Sequence, residues 1–176
     1  MYARPFIDSL DFAGNGRQIS GEAPVAEMPR LLDVLEDSQG VLEYTVRGGV
    51  DRQGVPLLDV GISGSCRLRC QRCLGALEHA VRIDTRLLLR DQASLDALDS
   101  SGEDEGEFDS ILADPHLDVL DLLEEEILLS LPIAPRHEPG ACRAVGGGDA
   151  PLRQAQDGHE EGKSPFAALA ELKRSA

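Results

Sequence analysis

Residues 58–90 read LDVGISGSCRLRCQRCLGALEHAVRIDTRLLLR, and the periodicity of this stretch decides the fold. Leu58, Val60, Ile62, Gly64, Cys66, Leu68 and Cys70 fall on one side of an extended chain, with Asp59, Ser63, Ser65, Arg67 and Arg69 on the other. After a short polar break the alternation resumes: Leu77, His79, Val81, Ile83, Leu87 and Leu89 share one side, and Arg82, Asp84, Arg86 and Arg90 share the other. Two such runs joined at Gln71 to Gly75 predict an antiparallel hairpin. Burying both apolar faces then forces the arginines of both strands onto one outer face, because a slip of one residue would turn every side chain over. Cys70 and Cys73 stand at the hairpin tip.

Upstream, Leu42, Tyr44 and Val46 alternate with Glu43, Thr45 and Arg47, which gives a further strand, and Arg17 to Glu22 gives a short one before it. Gly48-Gly49 together with Asp51 to Gly54 read as the hairpin connection into the quoted stretch. Leu31, Leu32, Val34 and Leu35 cluster at helical spacing with Pro29 in the first turn, so a helix is expected over 27–36. Downstream, Asp91 to Leu98 reads as a short helix and Phe108 to Leu112 as a short strand. Asp118 to Ser130 is the clearest helix: Leu120, Leu123, Ile127 and Leu131 form its buried stripe, Glu124 to Glu126 are expected in solvent, and Pro132 stops it. The sum is an α+β domain, an antiparallel twisted sheet of about four to six strands with two packed helices and a Cys-x2-Cys knuckle at a hairpin tip.

At 176 residues the chain suits one domain with tails. The domain is expected over 1–143, with an acidic loop at about 99–107, a Gly- and Gln-rich flexible linker over 144–163, and a C-terminal helix over 164–176. That last helix opens at Pro165 and spaces Phe166, Leu169 and Leu172 three apart; it is expected to dock on its own domain, and its place behind the linker also allows it to bind a partner. Four Phe, two Tyr and no Trp leave too few aromatics for a sheet that reads RNA by base stacking. No stretch approaches the ~20 apolar residues of a membrane span, so a cytoplasmic chain without membrane contact is expected. In that reducing compartment the four cysteines are free or metal-bound rather than a disulfide framework.

The formal charge of -15 is unevenly distributed. Residues 66–90 carry six arginines against two carboxylates, whereas residues 91–126 carry fourteen carboxylates and no Lys or Arg. The first segment offers Arg67, Arg69, Arg72, Arg82 and Arg86 as phosphate contacts; the second favours a basic partner. Cys70-x2-Cys73 and His137-x4-Cys142 have the residue types and local spacings of a split, structural zinc site. Cys66 falls on the inward side of its strand and reads as a small buried hydrophobe. Cys66-x3-Cys70-x2-Cys73 also has the spacing that holds a four-iron cluster in radical S-adenosylmethionine enzymes, but nothing in the chain supplies the barrel repeats those enzymes need. No nucleophilic triad, Walker loop or dinucleotide fingerprint occurs. No small-molecule substrate is therefore expected. The enzyme alternative is zinc- or thiol-dependent catalysis at Cys70, Cys73, His137 and Cys142.

The order Cys70-Gln71-Arg72-Cys73, then Glu124-Glu125-Glu126-Ile127-Leu128-Leu129-Ser130-Leu131-Pro132-Ile133-Ala134-Pro135, then His137 and Cys142, then Pro165-Phe166-Ala167-Ala168-Leu169 resembles the YceD family, the large ribosomal RNA subunit accumulation proteins. The resemblance implies a non-enzymatic ribosome biogenesis factor supporting accumulation of 23S ribosomal RNA. Its expected partners are the large-subunit rRNA or its precursor and a basic large-subunit ribosomal protein.

Overall fold

The computed structural model describes residues 4–101 and 108–142. The expected linker over 144–163, the C-terminal helix with Phe166, Leu169 and Leu172, and most of the acidic loop lie outside them.

The hairpin of residues 58–90 is the centre of the fold. Its strands are β4 (Pro56–Arg69) and β5 (Ala76–Arg90), paired antiparallel from Leu57 opposite Leu88 to Arg69 opposite Ala76. Ahead of them come β1 (Phe6–Ile7), α1 (Ser9–Gly14), β2 (Gln18–Pro24), a 3-10 turn (Val25–Glu27), α2 (Pro29–Leu32) and β3 (Val41–Val50). After them come α3 (Gln92–Ser101), β6 (Asp109–Leu112), β7 (Leu117–Asp118) and α4 (Val119–Ser130). The main sheet has the order β2-β3-β4-β5-β6 and is antiparallel as far as β5. The edge strand β6 joins parallel to β5, because the connection through α3 returns the chain to the same end. β1 and β7 form a separate two-stranded pair.

One face of the sheet carries the core. Leu42, Val46, Leu58, Val60 and Leu68 are buried there with Phe12 and Ala13 of α1, Leu31 of α2, and Leu120, Leu123 and Ile127 of α4. Helix α4 starts at Asp118, whose carboxylate accepts the Leu120 and Asp121 amides at 2.9 and 3.3 Å. Arg4 bridges Asp118 and Asp121, and the Val119 amide donates to the Pro5 carbonyl, so the start of the described chain is tied to the start of α4.

Four expectations need correction. The helix expected over 27–36 is only the 3-10 turn and the four residues of α2. Beyond Leu32 the backbone turns to pair with the end of β4 that β3 does not reach: the Glu36 amide donates to the Arg67 carbonyl and Leu35 bridges Leu68. Gly48 and Gly49 are not turn residues but lie inside β3, the connection being Asp51 to Val55, closed by the Asp51 carboxylate on the Gln53 and Val55 amides. Gly48 is glycine because α1 crosses it; a Cβ there would stand 2.3 Å from the Phe12 carbonyl oxygen. Residues 99–101, read as loop, continue α3.

Glu124 is the fourth. It is 1 % exposed rather than solvated, and it accepts the Leu31 amide at 2.9 Å and Arg30 Nε at 3.0 Å. Arg30 reaches on to Glu125 and to the Asp121 carbonyl. The periodicity placed Glu124 beside solvated neighbours, but α2 packs over that turn of α4 and supplies the polar partners that make burial of a carboxylate tolerable. Residues 4–16, where no element is expected from the pattern, hold β1 and α1 because of tertiary contacts: Ser9 exchanges hydrogen bonds with Asp114 through its amide and hydroxyl.

Gly48→Ala is expected to lower unfolding free energy by about 1–3 kcal/mol through overpacking against α1. Gly61→Ala, whose Cβ would meet nothing nearer than 3.9 Å, serves as the control and stays within about 0.5 kcal/mol. Urea denaturation of both variants checks the pair.

Candidate metal centre

The β4–β5 turn is a knuckle built from the backbone. The Cys70 amide donates to the Gly75 carbonyl at 2.9 Å, and the Leu74 amide donates to the Cys70 carbonyl at 2.9 Å. Leu74 takes a left-handed conformation, φ 57°, at a cost of about 1–2 kcal/mol. That curl turns the side chains of Cys70 and Cys73 toward the same point. The opposite wall comes from the chain after α4: Pro132 prevents continuation of the helix, and the Gln71 amide donates to the Pro135 carbonyl at 2.8 Å, which lays residues 135–142 across the tip.

The four donors Cys70, Cys73, His137 and Cys142 converge, their ligand atoms all within 4.8 Å of one another. Cys70 Sγ lies 3.8 Å from Cys142 Sγ, and His137 Nδ1 lies 3.4 Å from Cys73 Sγ and 3.7 Å from Cys142 Sγ. A tetrahedral ion with bonds of ~2.3 Å to sulfur and ~2.05 Å to nitrogen has sulfur–sulfur edges of about 3.8 Å and sulfur–nitrogen edges of about 3.6 Å. Three of the six edges, 3.8, 3.4 and 3.7 Å, have that size, and all six lie within 4.8 Å, so the four donors are close enough to hold a metal ion. His137 Nε2 stands 2.9 Å from the Ala76 carbonyl oxygen. Since a carbonyl only accepts, Nε2 carries the proton and Nδ1 keeps its lone pair toward the thiols in the neutral ring.

The surroundings favour ionised sulfur at Cys70 and Cys142. Burial pushes the Cys70 thiol up, but hydrogen bonds from the backbones of Cys73, His137 and Arg72 outweigh it and hold the group down at about 5. Burial likewise opposes ionisation of Cys142, where Arg72 Nε donates to Sγ at 2.9 Å and leaves the thiol lowered. At Cys73 the Gly75 amide favours the thiolate, yet burial and the neighbouring thiols win and the group is raised. Hydrogen bonds to Cys142 and Cys70 raise His137.

The arginines expected to form one face divide on inspection. Register puts Arg67, Arg69, Arg82 and Arg86 on the exposed side of β4 and β5, as the alternation requires. Arg72 is not with them: it belongs to the knuckle, donating to Cys142 Sγ and to the His137 and Glu138 carbonyls at 3.2 and 3.3 Å. Three of the four face arginines hold carboxylates, Arg67 with Asp37 at 2.9 Å, Arg69 with Glu36 at 2.7 Å and Arg86 with Asp59 at 2.7 Å. Arg86 also lies over the Phe108 ring at 5.2 Å. Arg82 has no carboxylate partner among the described residues. Alternation fixes which side a residue faces but carries no information on partners from residues 36 and 37, so this neutralisation had no signal in the sequence. Arg72 was within reach of sequence reasoning, since it sits between the two knuckle cysteines. Cys66 is buried in the core, with its thiol raised by burial, and stands apart from the cluster.

In protein stripped of metal by a chelator, a thiolate ultraviolet absorbance component is expected to persist down to about pH 5 and to vanish in Cys70→Ser. The unfolded chain keeps this thiol protonated until about pH 8.5, so it binds more protons than the folded chain between the two values. Cys70 thus makes the metal-free fold more stable as pH rises across that window, and the contribution is lost as pH falls through about 5.

No helix among the described residues is long and apolar enough to cross a membrane. No solved structure matches the chain. A family model described as large ribosomal RNA subunit accumulation protein YceD matches residues 58–173, a span that begins in β4 and takes in the knuckle, α4, His137 and Cys142. With well over half its length inside that match, including both walls of the cluster, the chain belongs to the YceD family of large ribosomal RNA subunit accumulation proteins.

Proposed function

We propose that the chain supports accumulation of 23S ribosomal RNA in the cytoplasm as a non-enzymatic docking protein. In this reading Cys70, Cys73, His137 and Cys142 hold a structural zinc ion, and the protein contacts large-subunit rRNA and a basic large-subunit ribosomal protein. The observation that carries the reading is the convergence of four protein donors within 4.8 Å of one another, three of their separations matching a zinc tetrahedron. A catalytic zinc keeps one position open for water or substrate, whereas four protein ligands close the shell. The ion supplies a crosslink between the hairpin tip and the segment after α4. Arg72 positions the Cys142 sulfur, and the Ala76 carbonyl orients His137.

Contact with rRNA is assigned to Arg67, Arg69, Arg72, Arg82 and Arg86. Exposed ion pairs such as Arg67–Asp37 and Arg69–Glu36 contribute about 0–1 kcal/mol, so exchanging a carboxylate for a phosphate costs little. The same neutralisation, together with the -15 charge of the chain, limits what the arginines achieve alone and favours a basic protein as the second partner. Phe166, Leu169 and Leu172 are proposed to bind a partner as well.

Metal analysis is expected to find one zinc per chain in the wild type and none in Cys73→Ser or Cys142→Ser. Free zinc at a hundredfold above its Kd contributes about 2.7 kcal/mol of stability. Chelation should therefore lower Tm by roughly 10 °C. A stable, metal-free variant that had lost turnover of some substrate would point to catalysis instead. For the RNA contact, Arg82→Ala is expected to weaken binding of an rRNA fragment and to reduce its salt slope by about one. Unchanged binding after Arg67, Arg69 and Arg82 are all replaced by Ala would remove rRNA from that face. Deleting the gene should lower 23S rRNA relative to 16S rRNA.

A further inference from the structure

A groove of about 460 Å³ runs between the segment after α2 and the end of α4, beside the knuckle but outside the four-donor cluster. Val34, Leu35, Leu68, Leu128, Leu131 and Ile133 give it an apolar lining. The side chains at its rim are unusually open for their type: Val34 is 46 % exposed and Ile133 is fully exposed. One wall, Leu131 to Pro135, is pinned by the Gln71 amide on the Pro135 carbonyl, so the groove is a preformed feature of the clasped tip.

The groove's lining carries one carboxylate, Asp33, and one cation, Arg69, and the helical layer behind it is negative. Residues 25–39 and 117–135, which form the helical layer, hold nine carboxylates and a single base, Arg30. Arg30 is already committed to Glu124 and Glu125. Arg4, Arg67 and Arg69 reach in from elsewhere to pair with Asp118, Asp121, Asp37 and Glu36, and the layer still keeps an excess of negative charge. Asp33, on the groove itself, is exposed and has no basic partner among the described residues. Arg69, the groove's own cation, is held by Glu36.

We infer that this groove docks a short amphipathic segment of a basic protein, with two or three apolar anchors between the segment after α2 and the end of α4 and a lysine or arginine beside Asp33. An apolar trough whose one unpaired charge is the Asp33 carboxylate selects for both features together, since an acidic segment is repelled and a purely polar basic one leaves the trough in water. RNA is disfavoured on this side, which offers a phosphate only Arg69 and an excess of carboxylates. The inference rests on the reading that a basic large-subunit protein is a partner, and it names where that partner sits.

The probe is a synthetic helix-forming peptide with Leu at i, i+3 and i+7 and Lys or Arg elsewhere, titrated into the full-length protein. Its affinity is expected to fall at least tenfold in Ile133→Glu and in Val34→Asp, to fall with added salt, and to be unchanged in Val50→Glu, an exposed apolar site at the far end of the β3–β4 hairpin. The same peptide with Glu in place of its basic residues should not bind. Equal binding of the acidic peptide, or wild-type affinity in both groove variants, would overturn the assignment. So would tighter binding of a peptide covering residues 164–176, or a dimer in sedimentation that Ile133→Glu dissolves, each of which gives the groove a different occupant. Peptide titration makes no reference to rRNA levels, so a failure here is separate from a failure of the gene deletion to lower 23S rRNA.

Discussion

Antiparallel pairing of β4 with β5, in one register, is the constraint on which the rest of the molecule depends. Side chains alternate with period two, so the pairing of Ile62 with Ile83 commits every other position on both strands. Val60, Cys66, Leu68 and Val81 go into the core, and Arg67, Arg69, Arg82 and Arg86 go to solvent. The same register places residues 70–75 at the free end of the ribbon, where the left-handed Leu74 and the two backbone hydrogen bonds curl the chain into a knuckle. A shift of one residue would turn the slipped strand over, burying its two arginines of this set and expelling its share of the core, which no local interaction could offset.

Helix α4 is the second support, and it works through both ends. At its start Asp118 caps it and anchors Arg4; at its end Pro132 releases the chain toward the knuckle. In between, Glu124 is buried against α2, accepting the Leu31 amide and Arg30. A carboxylate in that position disfavours any packing of α2 that would leave it unpaired, so it selects one arrangement of two elements whose apolar contacts alone would tolerate several. The arrangement also defines the groove, since α4 supplies one wall and the segment following α2 the other.

Electrostatics in this protein is a matter of local pairing more than of total charge. A chain of charge -15 surrounds most of its sheet-face arginines with carboxylates from neighbouring segments, and it surrounds its thiols with amides and Arg72. The first arrangement quiets a basic surface; the second creates a site for a cation. In the function proposed above, the cluster's chemistry goes into a crosslink and the surface around it into binding.

The sequence by itself determined the strands β3, β4 and β5, the helix α4 with its cap and its stop, the inward place of Cys66, and the family. Period-two and period-3.6 patterns are local, and each residue's side is decided by its immediate neighbours. Spacing also named Cys70, Cys73, His137 and Cys142 as a ligand set, though sequence separation gave no measure of their distance. Only the tertiary structure decided that these four converge, because convergence depends on where α4 ends relative to the ribbon tip. It also decided the helix lost beyond Leu32, which gave way to pairing with β4; Gly48 of β3, required by the crossing of α1; the burial of Glu124; and the carboxylates that hold Arg67, Arg69 and Arg86. Each of these arises from contacts between residues far apart in the chain, where a local pattern has no reach.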